Sequence, residues 1–422
     1  RIKSALVNEE TGKLSCIESR GCTAPVNKQG RFEIPLKNLT ADFLSICTNY
    51  AQRANFARVF VCSQMHGFVL ADKDGRALTD YISWQDESVF LPCEGKESSW
   101  SLFSAQFGEP FKDITGMRLR AGFPAVKILD FVRRNPGGYI KVLSLPEALL
   151  LSGKPYHKAH ITMAAGSGCV DFSSQEPSAD MIRFFSRMGG GVEVSFNEIC
   201  RDVVPAGEIN VSGRWLTVYT GVGDHQCAVL GAGNNQDSLS FNIGTGSQVS
   251  AVCGRTPVTP DTERRHFFAG QELQTITHIP AGRVLAALTG FFKTLTGRDG
   301  WASFNAVSLE DIKNASLHFN LAFFPDAWGF NKEGGSVTGL TTSGLTEKNF
   351  WASLFASFAV QYVKAARLFT PARKYAVLSG GKLAKNPVLA QFLQQQLQMP
   401  VKIADVSDET LIGLALLAKE IR

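Results

Sequence analysis

The 422-residue sequence has no run of eighteen or more apolar residues, the length a helix needs to cross a bilayer. Its opening stretch, RIKSALVNEE, holds no apolar segment of the kind a secretory leader carries. The nine cysteines, at positions 16, 22, 47, 62, 93, 169, 200, 227 and 253, contain no C-x-x-C pair, so the common zinc and dithiol signatures are missing. Most lie inside apolar segments, as buried free thiols do, which points to a reducing compartment and places the protein in the cytoplasm. The 43 basic and 38 acidic residues are scattered, giving a net charge of +5 with no basic stripe. Nucleic acid and membrane are therefore excluded as expected partners.

What remains is an ordinary globular composition, 44% hydrophobic and 19% charged. A chain of 45.9 kDa exceeds what one hydrophobic core usually supports, so two domains are expected. Strand-like runs alternate with helical periodicities throughout, which makes the class α/β. Pro205, Gly207 and Gly213 interrupt the pattern, and the boundary is placed near Leu216, giving domains of 1–216 and 217–422.

The chain begins with a strand-like run from Ile2 to Val7, a turn at Glu9–Gly12 and a second run from Leu14 to Ile17. A helical spacing follows over 41–57, then the buried run Arg58-Val59-Phe60-Val61-Cys62. That run delivers Gln64, Met65 and His66 to a strand's carboxyl end, the edge where ligands bind in open α/β sheets. Further strands are expected at Phe68–Ala71 and Tyr81–Asp86, and residues 120–215 read as an elaboration of the first domain. In the second half, Leu239–Ile243 and Gln248–Cys253 read as a hairpin and Leu273–Ile279 as a third strand. Helices are expected at Phe350–Leu368, Pro387–Leu397 and from Glu409 onward, with a short buried strand at Tyr375–Leu378.

Ser4-Ala5-Leu6-Val7 resembles Ser250-Ala251-Val252. If the halves are related repeats, a strand and turn matching those before Ser247 belong upstream of Arg1.

Asp224 ends the tract Gly221-Val222-Gly223-Asp224 and opens an apolar helix. It can cap that helix, or it can accept a proton from an attacking alcohol, with the glycines letting a substrate approach. Gly244-Thr245-Gly246-Ser247 is neither a Walker loop nor a G-x-G-x-x-G fingerprint. Its backbone N–H groups and hydroxyls could hold phosphate oxygens, though a hairpin turn uses the same residues. Gly380-Gly381 after a buried strand leaves room for adenine, or forms a plain strand–helix turn. Gln64, Met65 and His66 together offer an amide, a soft apolar surface and an imidazole, a set that suits a polyol. His157 and His160 share an H-x-x-H spacing without a third ligand, and read as surface residues.

These motifs in this order resemble the FGGY carbohydrate kinases along nearly the whole chain. Ser63-Gln64-Met65-His66-Gly67 with Trp84-Gln85-Asp86 looks like the sugar segment of the xylulokinase branch. Gly221–Asp224 is similar to the family's catalytic-base motif, and Asn242-Ile243-Gly244-Thr245-Gly246 to its second phosphate loop. Ser379-Gly380-Gly381 through Asn386 resembles its adenosine segment, and Gly335–Leu340 with Asn349-Phe350 one of its signatures. The chain departs from the pattern at Glu87-Ser88, at Asp130 and at Ala356, where Arg, Trp and an acid or amide are usual.

The resemblance implies two ribonuclease-H-like domains around a central cleft, with sugar held mainly by the first and ATP mainly by the second. It makes Asp224 the general base and a substrate contact, together with Gln64, Met65, His66, Trp84 and Asp86. Gly244, Thr245, Gly246, Ser247, Gly380, Gly381 and Asn386 become the ATP contacts, with Mg²⁺ as the accompanying ion and its ligands unassigned. The implied reaction is phosphorylation of a primary hydroxyl of a xylulose- or sedoheptulose-like ketose. A sugar-binding regulator without turnover and an actin-like ATPase are the alternatives, and a homodimer is left open.

Overall fold

A computed structural model describes all residues except 29, 94, 256–258, 332, 407 and 422, and the side chains of residues 27 and 28 are likewise not described. The chain divides into two compact units, one made of Arg1–Gly231, Arg264–Gln271 and Thr410–Arg422, the other of Ala232–Glu263 and Glu272–Glu409. Residues 217–231, assigned by sequence to the second domain, group with the first unit. The cause is strand pairing: Arg214–Tyr219 lies parallel to Arg58–Val59, and Val222–Gly223 lies parallel to Cys62–Ser63.

The first unit is built on a six-stranded sheet in the order Glu193–Phe196, Tyr139–Ser144, Phe68–Ala71, Tyr81–Ile82, Arg31–Ile34 and Val26–Lys28. Every residue of Phe68–Ala71 is buried, as expected of a strand covered on both faces. Residues 120–215 supply two strands of this sheet, so they belong to its framework and are more than an elaboration. Helix Pro124–Arg134 starts with proline at its first position and buries Ala125, Ile128, Leu129 and Val132 on one stripe. That stripe packs on Phe103, Phe107, Phe111, Phe123, Phe184 and Phe185. Asp130 forms an ion pair with Arg134 at 2.9 Å and accepts the Ser99 hydroxyl at 2.9 Å, which satisfies a carboxylate on a mostly apolar helix face. The helix expected over 41–57 runs from Leu36 to Ala51. The run 58–62 is two short strands, because its two ends pair with different partners.

In the second unit, Glu272–Ile279, Ser247–Cys253, Ser238–Ile243, Tyr375–Gly380 and Val401–Ile403 lie side by side in that order. The hairpin pair is antiparallel, with Ile243 opposite Ser247, while Ser238–Ile243 is parallel to Tyr375–Gly380. Helix Glu347–Ala366 covers the sheet. Thr346 caps it by accepting the Asn349 N–H, and Leu354, Phe355, Phe358 and Tyr362 bury one face. Leu239, Phe241, Ile276 and Leu378 meet that face in the core. None of the described helices is long and apolar enough to cross a membrane.

Candidate functional site

In the first unit the parallel pairing of Val222↔Cys62 and Gly223↔Ser63 sets the geometry. Both strands end at the same level, so Asp224 and Gln64 follow at one edge and line the same cavity. Two close approaches fix the loops. Added carbon at Gly223 would meet the Met65 Sδ at 2.9 Å and the Gln226 Oε1 at 2.3 Å, and at Gly221 it would meet Pro146 at 2.2 Å. The glycines therefore permit tight packing beneath Asp224. The Thr162 hydroxyl accepts the Gly223 N–H at 3.1 Å and holds the strand that presents the acid.

Asp224 opens helix Asp224–Gly231, and its Oδ1 accepts the N–H of His225 at 2.9 Å. A capping side chain takes an N–H two or three residues on, which this bond does not do. No described side chain donates to the carboxylate. Burial pushes its pKa up to about 6, while the His225 N–H and the positive charge of Arg265 pull it down. Tyr81 shares the cavity, and burial raises its phenol, with the Asp224 charge acting in the same direction. Added carbon at Gly67 would lie 1.9 Å from the Tyr81 hydroxyl, so this ring lies directly against the segment Gln64–Gly67.

The other candidates in this unit are placed unequally. Gln64 is exposed. Met65 is buried and packs against Gly223 and Gly166, which occupies the surface expected to face a polyol. His66 has φ of +67°, is within 2.7 Å of the Gly166 carbonyl through Nδ1 and meets the Phe123 ring edge-on at 4.7 Å. Trp84 is an exposed side chain. Asp86 is buried, with Oδ2 accepting the Phe32 N–H at 2.8 Å and Oδ1 accepting the Ser88 N–H at 3.1 Å and hydroxyl at 2.6 Å. It also balances Lys127, whose pKa burial pushes down to about 7 and whose ammonium donates to the Ser83 carbonyl at 2.6 Å. His160, expected at the surface, is buried: Nδ1 accepts the Thr162 N–H and Nε2 lies 3.0 Å from the Arg201 carbonyl. It caps the helix Ile161–Ala165, and burial lowers its pKa to about 4.

In the second unit the parallel pair Ile243↔Gly380 brings the Gly244–Ser247 turn and Gly380-Gly381 together. Gly380 has φ of +107°, and added carbon there would lie 2.6 Å from the Ile243 carbonyl, so both conformation and space require glycine. The Gly381 N–H donates to the Ile243 carbonyl at 2.8 Å, and the Gly380 N–H to Glu409 Oε1 at 2.9 Å. Carbonyls of Gly244 and Thr245 accept the N–H groups of Gly282 and Arg283, at the start of helix Gly282–Thr296. Thr245 and Gly246 are exposed, and among the described residues their N–H groups have no acceptor. Two free donors on an exposed glycine turn fit an anion such as a phosphate.

Ser247 and Asn386 are committed elsewhere. The buried Ser247 hydroxyl donates to the Ile279 carbonyl at 3.0 Å and lies 2.8 Å from the Tyr362 hydroxyl. Asn386 caps helix Pro387–Leu397, its Oδ1 accepting the Val388 and Leu389 N–H groups. Among the described residues, no group of three or more His, Cys, Asp and Glu side chains could hold a metal ion. Sequence reasoning missed Tyr81, Thr162, Arg265, Tyr362 and Glu409. Each reaches its site through pairing or packing across the fold, which leaves no local periodicity or spacing to read.

No family profile matches the chain. A glycerol kinase from Rhodospirillum centenum is 25% identical over 395 residues, 87% of this chain and 76% of that protein. Among solved structures, a ligand-bound xylulose kinase from Lactobacillus acidophilus superposes with a TM-score of 0.79 at 17% identity, covering 100% of this chain and 87% of that one. A gluconate kinase from the same organism gives 0.79 at 17% identity, over 97% and 85%. A Plasmodium falciparum glycerol kinase with ADP gives 0.81 at 15% identity, over 98% and 86%. The chain thus has the two-domain, actin-like fold of the sugar kinases.

Proposed function

We propose that the protein is an ATP-dependent carbohydrate kinase that phosphorylates a primary hydroxyl of a five- or seven-carbon ketose, with Asp224 as general base. The observation that carries this reading is the state of Asp224. Among the described residues no side chain hydrogen-bonds to it, burial raises its pKa to about 6, and it lines the same cavity as the exposed amide of Gln64. A base of that strength retains proton affinity while staying largely ionised at neutral pH. Its carboxylate takes the proton of the sugar hydroxyl as that oxygen bonds to the γ-phosphorus of ATP and ADP leaves. Gln64 can both donate to and accept from sugar hydroxyls, and the exposed Trp84 ring offers a flat apolar face to sugar C–H groups.

In the same reading the second unit binds the nucleotide. The N–H groups of Thr245 and Gly246 stabilise phosphate charge, and Gly380-Gly381 lets adenosine lie against the backbone. Mg²⁺ commonly keeps several waters and needs only one or two carboxylates beside the phosphates. Among the described residues no three His, Cys, Asp or Glu side chains gather around such an ion. A cytoplasmic, homodimeric enzyme is compatible with the reading, and sedimentation reads the dimer directly.

The test is ADP release with xylulose, sedoheptulose, gluconate and glycerol as acceptors, for the native protein and for Asp224→Ala. Sugar-stimulated release that falls about 10²- to 10⁴-fold in the variant is the expected result. No stimulation by any acceptor would overturn the kinase reading in favour of a binding protein. Acceptor-independent release would favour an ATPase, and full activity in Asp224→Ala would remove the base.

A further inference from the structure

The segment Arg264–Gln271 joins the first unit although its sequence neighbours belong to the second. Three contacts clamp it there. The Arg264 N–H donates to the Gly116 carbonyl at 2.8 Å. Gly116 has φ of +77°, and added carbon there would lie 2.6 Å from the Arg264 carbonyl, so conformation and space both require glycine at this approach. The Phe172 ring takes both the Arg264 guanidinium, 4.2 Å from its centroid, and the His266 imidazole, stacked at 4.2 Å and 14°. Arg264 and His266 are two residues apart in the strand Glu263–His266 and meet the same ring, so Arg265 between them points to the other side.

The third contact ties this segment to the acid. Gln226 is buried in the first turn of helix Asp224–Gly231, and its Nε2 donates to the His266 carbonyl at 3.2 Å. The clamp is thus fastened to the turn that Asp224 opens. Arg265 is buried, and its positive charge acts on the Asp224 carboxylate. Burial removes the solvent that would screen that charge. Tyr81, Cys62 and Cys227 are the other titratable groups around the acid, and burial raises the Tyr81 phenol and the Cys227 thiol, which stay neutral. Among the described residues Arg265 is therefore the charged side chain that acts on Asp224.

We propose that Arg265 is a positioning residue for the base, held by its own segment and by Gln226 so that one fixed positive charge faces Asp224 when the acceptor hydroxyl arrives. The inference rests on the kinase reading. No described side chain hydrogen-bonds to the carboxylate, so the charge favours the ionised acid without occupying the lone pairs that take the hydroxyl proton. Burial alone would leave more of the acid protonated and idle at neutral pH, and the guanidinium opposes it.

The experiment is the pH profile of sugar-stimulated ADP release for the native chain, Arg265→Gln, Arg265→Lys and Gln226→Leu. Arg265→Gln should move the acid limb upward from about 6 by about one pH unit, which costs about fivefold more rate at pH 6 than at pH 8. Arg265→Lys should keep the limb near its native position. Gln226→Leu unfastens the His266 carbonyl and should move the limb in the same direction by less. A limb left unmoved by Arg265→Gln, with the same fractional loss at every pH, overturns the inference and makes the segment a structural clamp. If Arg265→Gln does not fold, Gln226→Leu carries the same test. Urea unfolding adds a readout that needs no turnover: in either background the advantage of Asp224→Asn should go on growing to a higher pH than in the native chain. Levelling at the same pH in both overturns the inference, whereas ADP release that no sugar stimulates overturns the kinase reading alone.

Discussion

The substitution Asp224→Asn separates the site's chemistry from its contribution to folding. Burial raises the carboxyl from 3.8 to about 6 in the folded protein, so the folded state holds a proton more tightly than the unfolded chain does. Between about pH 4 and pH 6 the native state binds more protons, and stability falls as pH rises through that window. Above it the charged acid costs the fold on the order of 3 kcal/mol, at about 1.4 kcal/mol per tenfold change in proton affinity. Asparagine keeps an oxygen that can accept the His225 N–H but carries no charge. Urea unfolding of both proteins should give nearly equal stability at about pH 4, and an advantage to the variant that grows towards about 3 kcal/mol by pH 7. Turnover should meanwhile fall by about 10²-fold or more, and the native rate should itself drop as pH falls through about 6. A variant that is less stable at neutral pH, or a difference that does not vary with pH, would refute the assignment of a burial-strained carboxylate.

Three further outcomes follow from the placement of the other candidates. Ser247→Ala should destabilise the protein by about 1–3 kcal/mol in urea unfolding, since the Tyr362 hydroxyl and Ile279 carbonyl lose a buried partner. The KM for ATP should change less than twofold, roughly within the scatter of such measurements, whereas a phosphate-binding hydroxyl would raise it strongly. Asp86→Ala should cost about 1–3 kcal/mol, because the Phe32 N–H and the Ser88 N–H and hydroxyl lose a buried acceptor, and a loss of sugar affinity in a fully stable variant would contradict this role. Gly380→Ala should weaken nucleotide binding in calorimetry and lower stability by about 1–3 kcal/mol, from the strained φ and the contact with Ile243. Unchanged binding would remove that segment from the nucleotide site.

How much was legible in the sequence can be judged residue by residue. The hairpin around Gly244–Gly246 was readable because alternating apolar residues and glycines fix a strand–turn–strand locally. Its extent is Ser238–Ile243 and Ser247–Cys253, within a residue of expectation. Helices Pro387–Leu397 and Glu347–Ala366 were readable from their apolar spacing, the second expected over Phe350–Leu368 and found to start three residues earlier. The sugar-kinase fold followed from the order of several motifs, none of which was specific alone.

The sequence by itself determined the α/β class, the elements that carry each motif and the position of Asp224 at a strand-to-helix junction. These depend on local periodicity and on the conformational freedom of glycine, which act over a few neighbouring residues. Only the tertiary structure decided which polar side chains remain available. Asp86, Ser247 and Asn386 spend their oxygens on Phe32 and Ser88, on Ile279 and on a helix start, and Met65 is buried against Gly223. It also decided that residues 217–231 join the first unit, through pairing with strands about 160 residues earlier. Hydrogen bonding and burial are long-range outcomes of packing, so a residue's chemical type announces what it could do and its neighbours in space decide what it does.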